Sequence, residues 1–136
     1  MSVNDREKIT VYIAGDSTAA DKVPEVFPET GWGQVIGAFF NGDVKISNHA
    51  VNGRSAMSFV EEGRLDAILK EIKAGDYLFI QFVHNDEKDY DPSRYTDPQT
   101  TYKYYLRLFI EGARGKGAYP VLLTPVNRRL FESGKI

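Results

Sequence analysis

Short runs of apolar residues alternate with longer polar stretches along the chain. Four runs have the length and the β-branched or aromatic content of strands: ITVYIAG from Ile9, VKISNHA from Val44, DYLFIQF from Asp76 and AYPVLLTP from Ala118. Each run is closed by glycine, asparagine, histidine or proline, and residues of this kind favour turns or lie beside them. The third run is almost wholly apolar, which predicts a strand that is covered on both faces.

Between these runs, apolar residues recur at the spacing of a helix. Three stripes predict amphipathic helices that face the core, and Gly42, Gly75 and Gly115 supply their stops. The members of the stripes are Trp32, Val35, Ile36, Phe39 and Phe40; Leu65, Ile68, Leu69 and Ile72; and Tyr102, Tyr105, Leu106, Phe109, Ile110 and Ala113.

Strands that alternate with helices predict an α/β fold with a parallel sheet and right-handed crossovers. In such sheets, ligands collect beyond the carboxyl ends of the strands. Three polar clusters follow predicted strands and should therefore share one rim of the sheet. They are Gly15-Asp16-Ser17, Asn52-Gly53 and His84-Asn85-Asp86.

Length and composition narrow the class of protein. The 136 residues fit one domain, and hydrophobic (42%) and charged (26%) residues have the shares of an ordinary globular protein. A net charge of −2 argues against a nucleic-acid partner, and no apolar run approaches the roughly 20 residues of a membrane span. The polar start, MSVNDREK, predicts a cytoplasmic protein, although a secreted protein in its mature form would read the same.

The rim combines a nucleophile with hydrogen-bond donors. A serine hydroxyl attacks an ester only when a base takes its proton, and the oxyanion that forms needs preorganised donors. Ser17 offers the hydroxyl, while its own main-chain N–H, that of Gly53 and the side-chain amide of Asn85 offer donors. Each cluster alone is also an ordinary turn; only their joint order along the chain favours an acyl-transfer site.

Several of these segments resemble the SGNH (GDSL-like) hydrolases. GDST after strand 1, NHAVNGRSAMSF after strand 2 and QFVHND at strand 3 are similar to the first three conserved blocks of that family, and GWGQ and TPVNRR are similar to its rhamnogalacturonan acetylesterase branch. The resemblance implies a flavodoxin-like three-layer α/β/α fold, with strand order 2-1-3-4. It also implies removal of acetyl groups from pectin-derived or related sugar esters, without a cofactor or a metal. Ser17 would be the nucleophile, and Gly53 and Asn85 would complete the oxyanion hole.

The sequence departs from the family pattern in two places. Val83 stands where the family has glycine before His-Asn-Asp, which predicts a strained turn and a tilted Asn85. The Asp-x-x-His motif that supplies the general base is missing, and the only histidines are His49 and His84. We therefore expect residues 1–136 to form a single SGNH domain that lacks its C-terminal part, with crippled catalysis. The alternative is a non-catalytic remnant that binds sugar esters.

Further expectations concern the surroundings of the rim. Asp16, Arg54 and His84 are candidate substrate contacts, and Arg128 and Arg129 are weaker ones, since arginine pairs well with sugar carboxylates. The acids from Asp86 to Asp97 predict a solvated acidic rim rather than a calcium loop, because no EF-hand spacing is present. Gly31 and Gly33 predict close packing of the backbone on either side of Trp32. A free fourth strand at Val121–Thr124 predicts a homodimer or aggregation through the sheet edge.

Overall fold

A four-stranded parallel sheet forms the centre of the computed structural model, which describes residues 9–26, 28–40, 42–83 and 85–124. The strands are β1 (Ile9–Gly15), β2 (Val44–Asn48), β3 (Tyr77–Gln81) and β4 (Tyr119–Leu122), in the order β2-β1-β3-β4. The helices are α1 (Trp32–Val35), α2 (Ala56–Glu61), α3 (Arg64–Glu71) and α4 (Thr101–Gly115), and 3-10 turns cover Pro24–Val26 and Ile36–Phe39. The predicted α/β class, strand order and four strand positions are confirmed.

The register of the sheet carries the ends of β1 and β3 to the same level. Ile13 lies opposite Phe79, and Gly15 lies opposite Gln81. A Cβ on Gly15 would stand 3.1 Å from the carbonyl oxygen of Gln81, so glycine permits the close approach of the two strand ends. The polar residues that follow β1 and β3 consequently leave the sheet side by side.

One face of the sheet is covered by α2, α3 and α4. Phe59, Phe82 and Phe109 are completely or almost completely buried there, and their ring centroids lie 5.3 to 5.8 Å apart. Leu65 and Ile68 of α3 fill the same layer. At roughly 1.5–3 kcal/mol for each large apolar side chain removed from water, this face supplies most of the hydrophobic stabilisation. The second and third predicted helical stripes are confirmed as core faces.

The opposite face is covered more thinly. Among the described residues, Val11, Ile13 and Ala19 form the fully buried cluster on this face, and partly buried side chains such as Trp32 and Ile36 pack around them. The prediction of a core-facing helix over residues 32–40 is wrong in part. The α-helical stretch spans Trp32–Val35 and continues as a 3-10 turn, which rotates the stripe out of register because 3-10 geometry has 3.0 residues per turn. Phe39 is 83% exposed as a result. Tyr77 and Phe79 of β3 are also only half-buried, so its prediction as a strand covered on both faces holds for one face.

Sequence periodicity missed α2, which is short but well capped. The Ser55 hydroxyl accepts from Ser58 N at 3.1 Å, and the Ser58 hydroxyl accepts from Ser55 N at 2.8 Å. This reciprocal pair starts the helix directly after the predicted Asn52-Gly53 turn. Among the residues that the structure describes, no helix is both long and apolar enough to cross a membrane.

Candidate active site

Ser17 lies on the tight turn that follows β1. The carboxylate of Asp16 is buried, and its Oδ1 accepts from Thr18 N at 3.0 Å and from Thr18 Oγ1 at 2.9 Å, as in an Asx turn. The Asp16 carbonyl accepts from the main-chain N–H groups of Ala19 and Ala20, both at 3.1 Å. These bonds fix the turn from below and leave Ser17 exposed at its tip. Asp16 therefore shapes the turn, and its predicted contact with substrate stays a prediction.

Gln81, the last residue of β3, supports the same turn from behind. Its Oε1 accepts from Trp32 Nε1 at 2.7 Å and lies 2.9 Å from Thr18 Oγ1, and its Nε2 donates to the Thr124 carbonyl at 2.8 Å. The amide is 5% exposed and connects the Ser17 turn, α1 and the end of β4. Sequence reasoning missed Gln81 because a glutamine in an apolar run shows nothing of its partners.

The packing predicted for the two glycines around Trp32 is confirmed. A Cβ on Gly31 would lie 2.0 Å from the Ala20 carbonyl oxygen, and a Cβ on Gly33 would lie 2.5 Å from that of Ala19. Only glycine lets α1 come this close to the chain that follows Ser17. A cleft of about 530 Å³ borders Trp32, within the range of about 300–1,000 Å³ for small-molecule sites. Its lining also includes Ser17, Lys22, Glu29 and Thr30.

Gly53 lies in the turn that follows β2, with a left-handed φ of 78°. This conformation is strained for a residue with a side chain, so the turn requires glycine. Its main-chain N–H has no acceptor among the described residues. Val51 N donates to the Gly15 carbonyl at 3.1 Å, which carries the pairing of β1 and β2 up to this turn.

Lys22 connects the Ser17 turn to the turn at Gly53. Its Nζ donates to the main-chain carbonyl of Ser17 and, at 2.9 Å, to Asn52 Oδ1. One ammonium thus bonds the residue that carries the hydroxyl and the residue directly before Gly53. A lysine within a polar loop looks like an ordinary surface charge in the sequence, so no pattern indicated this contact.

Asn85 lies after β3 and is 3% exposed. Its Nδ2 donates to the Arg54 carbonyl at 3.1 Å, which ties it to the turn at Gly53. Its Oδ1 accepts from Lys88 Nζ at 2.9 Å and from Arg94 Nη1 at 3.0 Å. At the start of the same turn, the Val83 carbonyl accepts from Glu87 N at 3.0 Å. The strain expected at Val83 and the tilt expected of Asn85 stay predictions.

The structure therefore brings Ser17, Gly53 and Asn85 to one end of the sheet through a continuous chain of hydrogen bonds. Lys22 links the turn of Ser17 to the turn of Gly53. Asn85 Nδ2 and Arg94 link the turn of Gly53 to the turn of Asn85. The predicted roles of nucleophile and oxyanion donors stay predictions, but the three segments are neighbours.

Comparison with known proteins shows which proteins this chain resembles. The chain is 51% identical over 132 residues to the rhamnogalacturonan acetylesterase RhgT of Bacillus subtilis, a match that covers 96% of this chain and 55% of the relative. It is 48% identical over 124 residues to the probable rhamnogalacturonan acetylesterase YesY of the same organism, covering 91% of this chain and 57% of that protein. These relatives confirm the predicted resemblance to the rhamnogalacturonan acetylesterase branch of the SGNH hydrolases. The chain spans about half the length of these curated relatives.

Two solved structures resemble this chain in fold. The crystal structure of YxiM from Bacillus subtilis superposes with a TM-score of 0.81 at 32% identity, covering 93% of this chain and 35% of that one. The psychrotrophic esterase EstA from Pseudoalteromonas superposes at 0.63 with 19% identity, covering 85% of this chain and 61% of that one, and supports the fold. No family model matches the chain.

Arg54, a predicted substrate contact, is paired within the protein. Its Nε donates to Glu62 Oε1 at 2.7 Å, and its Nη1 donates to the Asn52 carbonyl at 3.0 Å. Hydrogen bonds from Arg64 and Arg54 lower the pKa of the Glu62 carboxyl. A sugar carboxylate would compete with Glu62 for the Arg54 guanidinium, so its contact with substrate stays a prediction.

Asp86 corrects the prediction of a uniformly solvated acidic rim. It is 3% exposed, and its Oδ1 accepts from Ala56 N at 3.1 Å and from Thr96 Oγ1 at 2.8 Å. Burial, with a smaller contribution from the charge of Asp16, raises the pKa of Asp86 to about 6. The residue fastens the third turn to the start of α2, whereas Asp89 in the same loop is exposed.

His49 contacts residues of β1 and β2. His49 Nε2 lies 3.1 Å from Ser47 Oγ, and its ring lies 5.9 Å from that of Tyr12. Burial lowers its pKa, so the imidazole is neutral near pH 7. His84, predicted as a substrate contact, lies outside the described residues, as do Arg128 and Arg129. The described contacts of His49 do not include Ser17.

Proposed function

We propose that this protein is a serine esterase that removes acetyl groups from acetylated pectin fragments, with Ser17 as the nucleophile. The observation that carries this proposal is the exposed Ser17 turn bonded through Lys22 to the turn that holds Gly53, with Asn85 beside them. Homology to RhgT and YesY, which are named as acetylesterases of rhamnogalacturonan, supports the substrate class.

The proposed reaction begins when the Ser17 hydroxyl oxygen attacks the carbonyl carbon of the acetyl ester and gives its proton to a base. The oxyanion that forms is stabilised by the main-chain N–H groups of Ser17 and Gly53 and by the Asn85 amide. The bond to the sugar oxygen then breaks, and that oxygen takes a proton. Water hydrolyses acetyl-Ser17, releases acetate and restores the hydroxyl.

We further propose that the 136-residue chain turns over slowly. His49 is bonded to Ser47 and packed on Tyr12, so the described residues place no imidazole next to Ser17. General-base assistance is worth roughly 10²–10⁴ in rate. The same observation favours the second candidate, a protein that binds acetylated sugars without cleaving them.

Release of acetate from acetylated rhamnogalacturonan oligosaccharides tests the proposal. We expect release by the wild-type protein, none by Ser17→Ala, and slower release from acetylated xylan, which lacks galacturonate. Tight binding of the oligosaccharide with no Ser17-dependent acetate would favour the binding protein instead. Equal release by wild type and Ser17→Ala would contradict both the nucleophile and the reaction.

Two expectations from the sequence stay predictions. Self-association through β4 fits its position at the edge of the sheet, where Tyr119 and Leu122 are 56% and 51% exposed, and sedimentation velocity would test it. A cytoplasmic location, with a secreted mature form as the alternative, is a matter for fractionation of the producing cells.

A further inference from the structure

Arg94 is bonded to both of the turns proposed to supply oxyanion donors. Its Nη1 donates to Asn85 Oδ1 at 3.0 Å and also lies 3.4 Å from the Gly53 carbonyl oxygen. No motif contains Arg94, which stands in the loop between β3 and α4 and is separated from Gly53 by 41 positions. We propose that Arg94 is a positioning residue that orients and polarises the Asn85 amide and holds the Gly53 turn beside it. This inference rests on the proposed esterase function.

The guanidinium is itself held in place. Arg94 Nε donates to Asp91 Oδ2 at 2.8 Å, and the other carboxylate oxygen of Asp91 accepts from Ser93 Oγ at 2.6 Å and from Ser93 N at 3.0 Å. Asp91 and Arg94 form an ion pair whose side chains are 30% and 24% exposed. Because the planar guanidinium offers donors in a rigid fork, one group can grip Asp91 and reach the two turns together.

These contacts define which end of the Asn85 amide faces the site. Arg94 and Lys88 carry only donors, so the atom between them must be the oxygen, and the nitrogen must lie on the side of the Arg54 carbonyl. Turning the amide over would place its NH₂ group against two cations and lose all three hydrogen bonds. Asn85 is thus locked with its N–H groups towards the turn that contains Gly53.

The charge also acts on the strength of the donor. Cationic donors on Oδ1 draw electron density from the amide, and hydrogen bonds in such a chain strengthen one another. One Nδ2 proton is used by the Arg54 carbonyl, and the other has no acceptor among the described residues. A polarised N–H at this position would stabilise an oxyanion more than it stabilises the neutral ester, so Arg94 should affect kcat rather than KM.

The test compares Arg94→Gln, which removes the charge but keeps donors, with Arg94→Lys, which keeps the charge. Arg107→Gln, on the exposed side of α4, is the matched control. With p-nitrophenyl acetate we expect Arg94→Gln to lower kcat about tenfold, less than the roughly 10²–10³ lost when an oxyanion donor is removed outright. KM should stay within about twofold, and Arg94→Lys, which keeps the charge without the fork, should recover part of the loss.

A readout that does not depend on turnover completes the design. The side-chain amide protons of Asn85, assigned by their absence in Asn85→Ser, should move upfield in the ¹⁵N–¹H spectrum of Arg94→Gln and stay near the wild-type position in Arg94→Lys. A kcat for Arg94→Gln within about twofold of Arg107→Gln, or an unmoved Asn85 signal, overturns the inference alone. Wild-type protein without Ser17-dependent turnover overturns the proposed function and the inference with it.

Discussion

The body of the sheet and the rim at its strand ends are held together by different physics. In the body, Phe59, Phe82 and Phe109 pack in one buried layer without a polar contact between them. At the rim, charged groups bond to turns that lie far from them in sequence, as Lys22 does to Asn52 and Arg94 does to Gly53. Apolar packing is non-directional and tolerates small shifts, whereas each rim bond has one geometry. The body therefore sets most of the stability, and the rim sets where donors point.

The largest expected effect is a loss of stability when a buried phenylalanine of the body is removed, compared with removal of an exposed one. Phe59→Ala leaves a cavity between Phe82 and Phe109, and we expect it to lower the free energy of unfolding by about 3–5 kcal/mol. Phe39→Ala removes the same side chain where it is 83% exposed, and should change stability by less than about 0.5 kcal/mol. Urea denaturation measures both. Similar losses for the two variants would mean that the two faces of the sheet are covered alike.

The next prediction concerns Asp86, a rim residue whose effect on stability depends on pH. Because the pKa of Asp86 is about 6 in the folded protein, above its usual value of 3.8, its protonated form favours folding. Asp86 therefore adds up to roughly 3 kcal/mol to the free energy of unfolding. This contribution is complete below pH about 4 and is lost as the pH rises through about 6. Asp86→Asn cannot ionise, so wild type should lose stability relative to this variant between pH 4 and pH 7.

Urea denaturation of Asp86→Asn at the two pH values checks this expectation. Asp89→Asn, in the exposed part of the same loop, serves as the control and should follow the wild-type pH dependence. Parallel pH profiles for wild type and Asp86→Asn would show that Asp86 ionises as freely as an exposed carboxyl, and that the rim is wetter than its burial indicates.

The difference between body and rim also explains what the sequence could predict. The strands that begin at Ile9 and Tyr77 and the helix that contains Phe109 could be predicted from the spacing of their own apolar residues, because that spacing depends directly on which residues are buried. The motif residues Ser17, Gly53 and Asn85 could be found because each follows a strand. Gln81, Lys22 and Arg94 could not, because their partners lie across the fold and a single polar residue carries no period. The exposed end of the stripe at Phe39 failed because its helix tightens to 3-10 geometry.

The most direct test of the account is the rate at which a fluorophosphonate labels Ser17, with the modified peptide identified by mass spectrometry. The reagent forms a tetrahedral phosphonate whose oxygen needs the same donors as the oxyanion. We predict that label is found on Ser17 in the wild-type protein and that Asn85→Ser labels roughly 10²-fold more slowly while remaining folded. Equal labelling of wild type and Asn85→Ser, or label on another serine, would contradict the convergence of the three turns on one carbonyl oxygen.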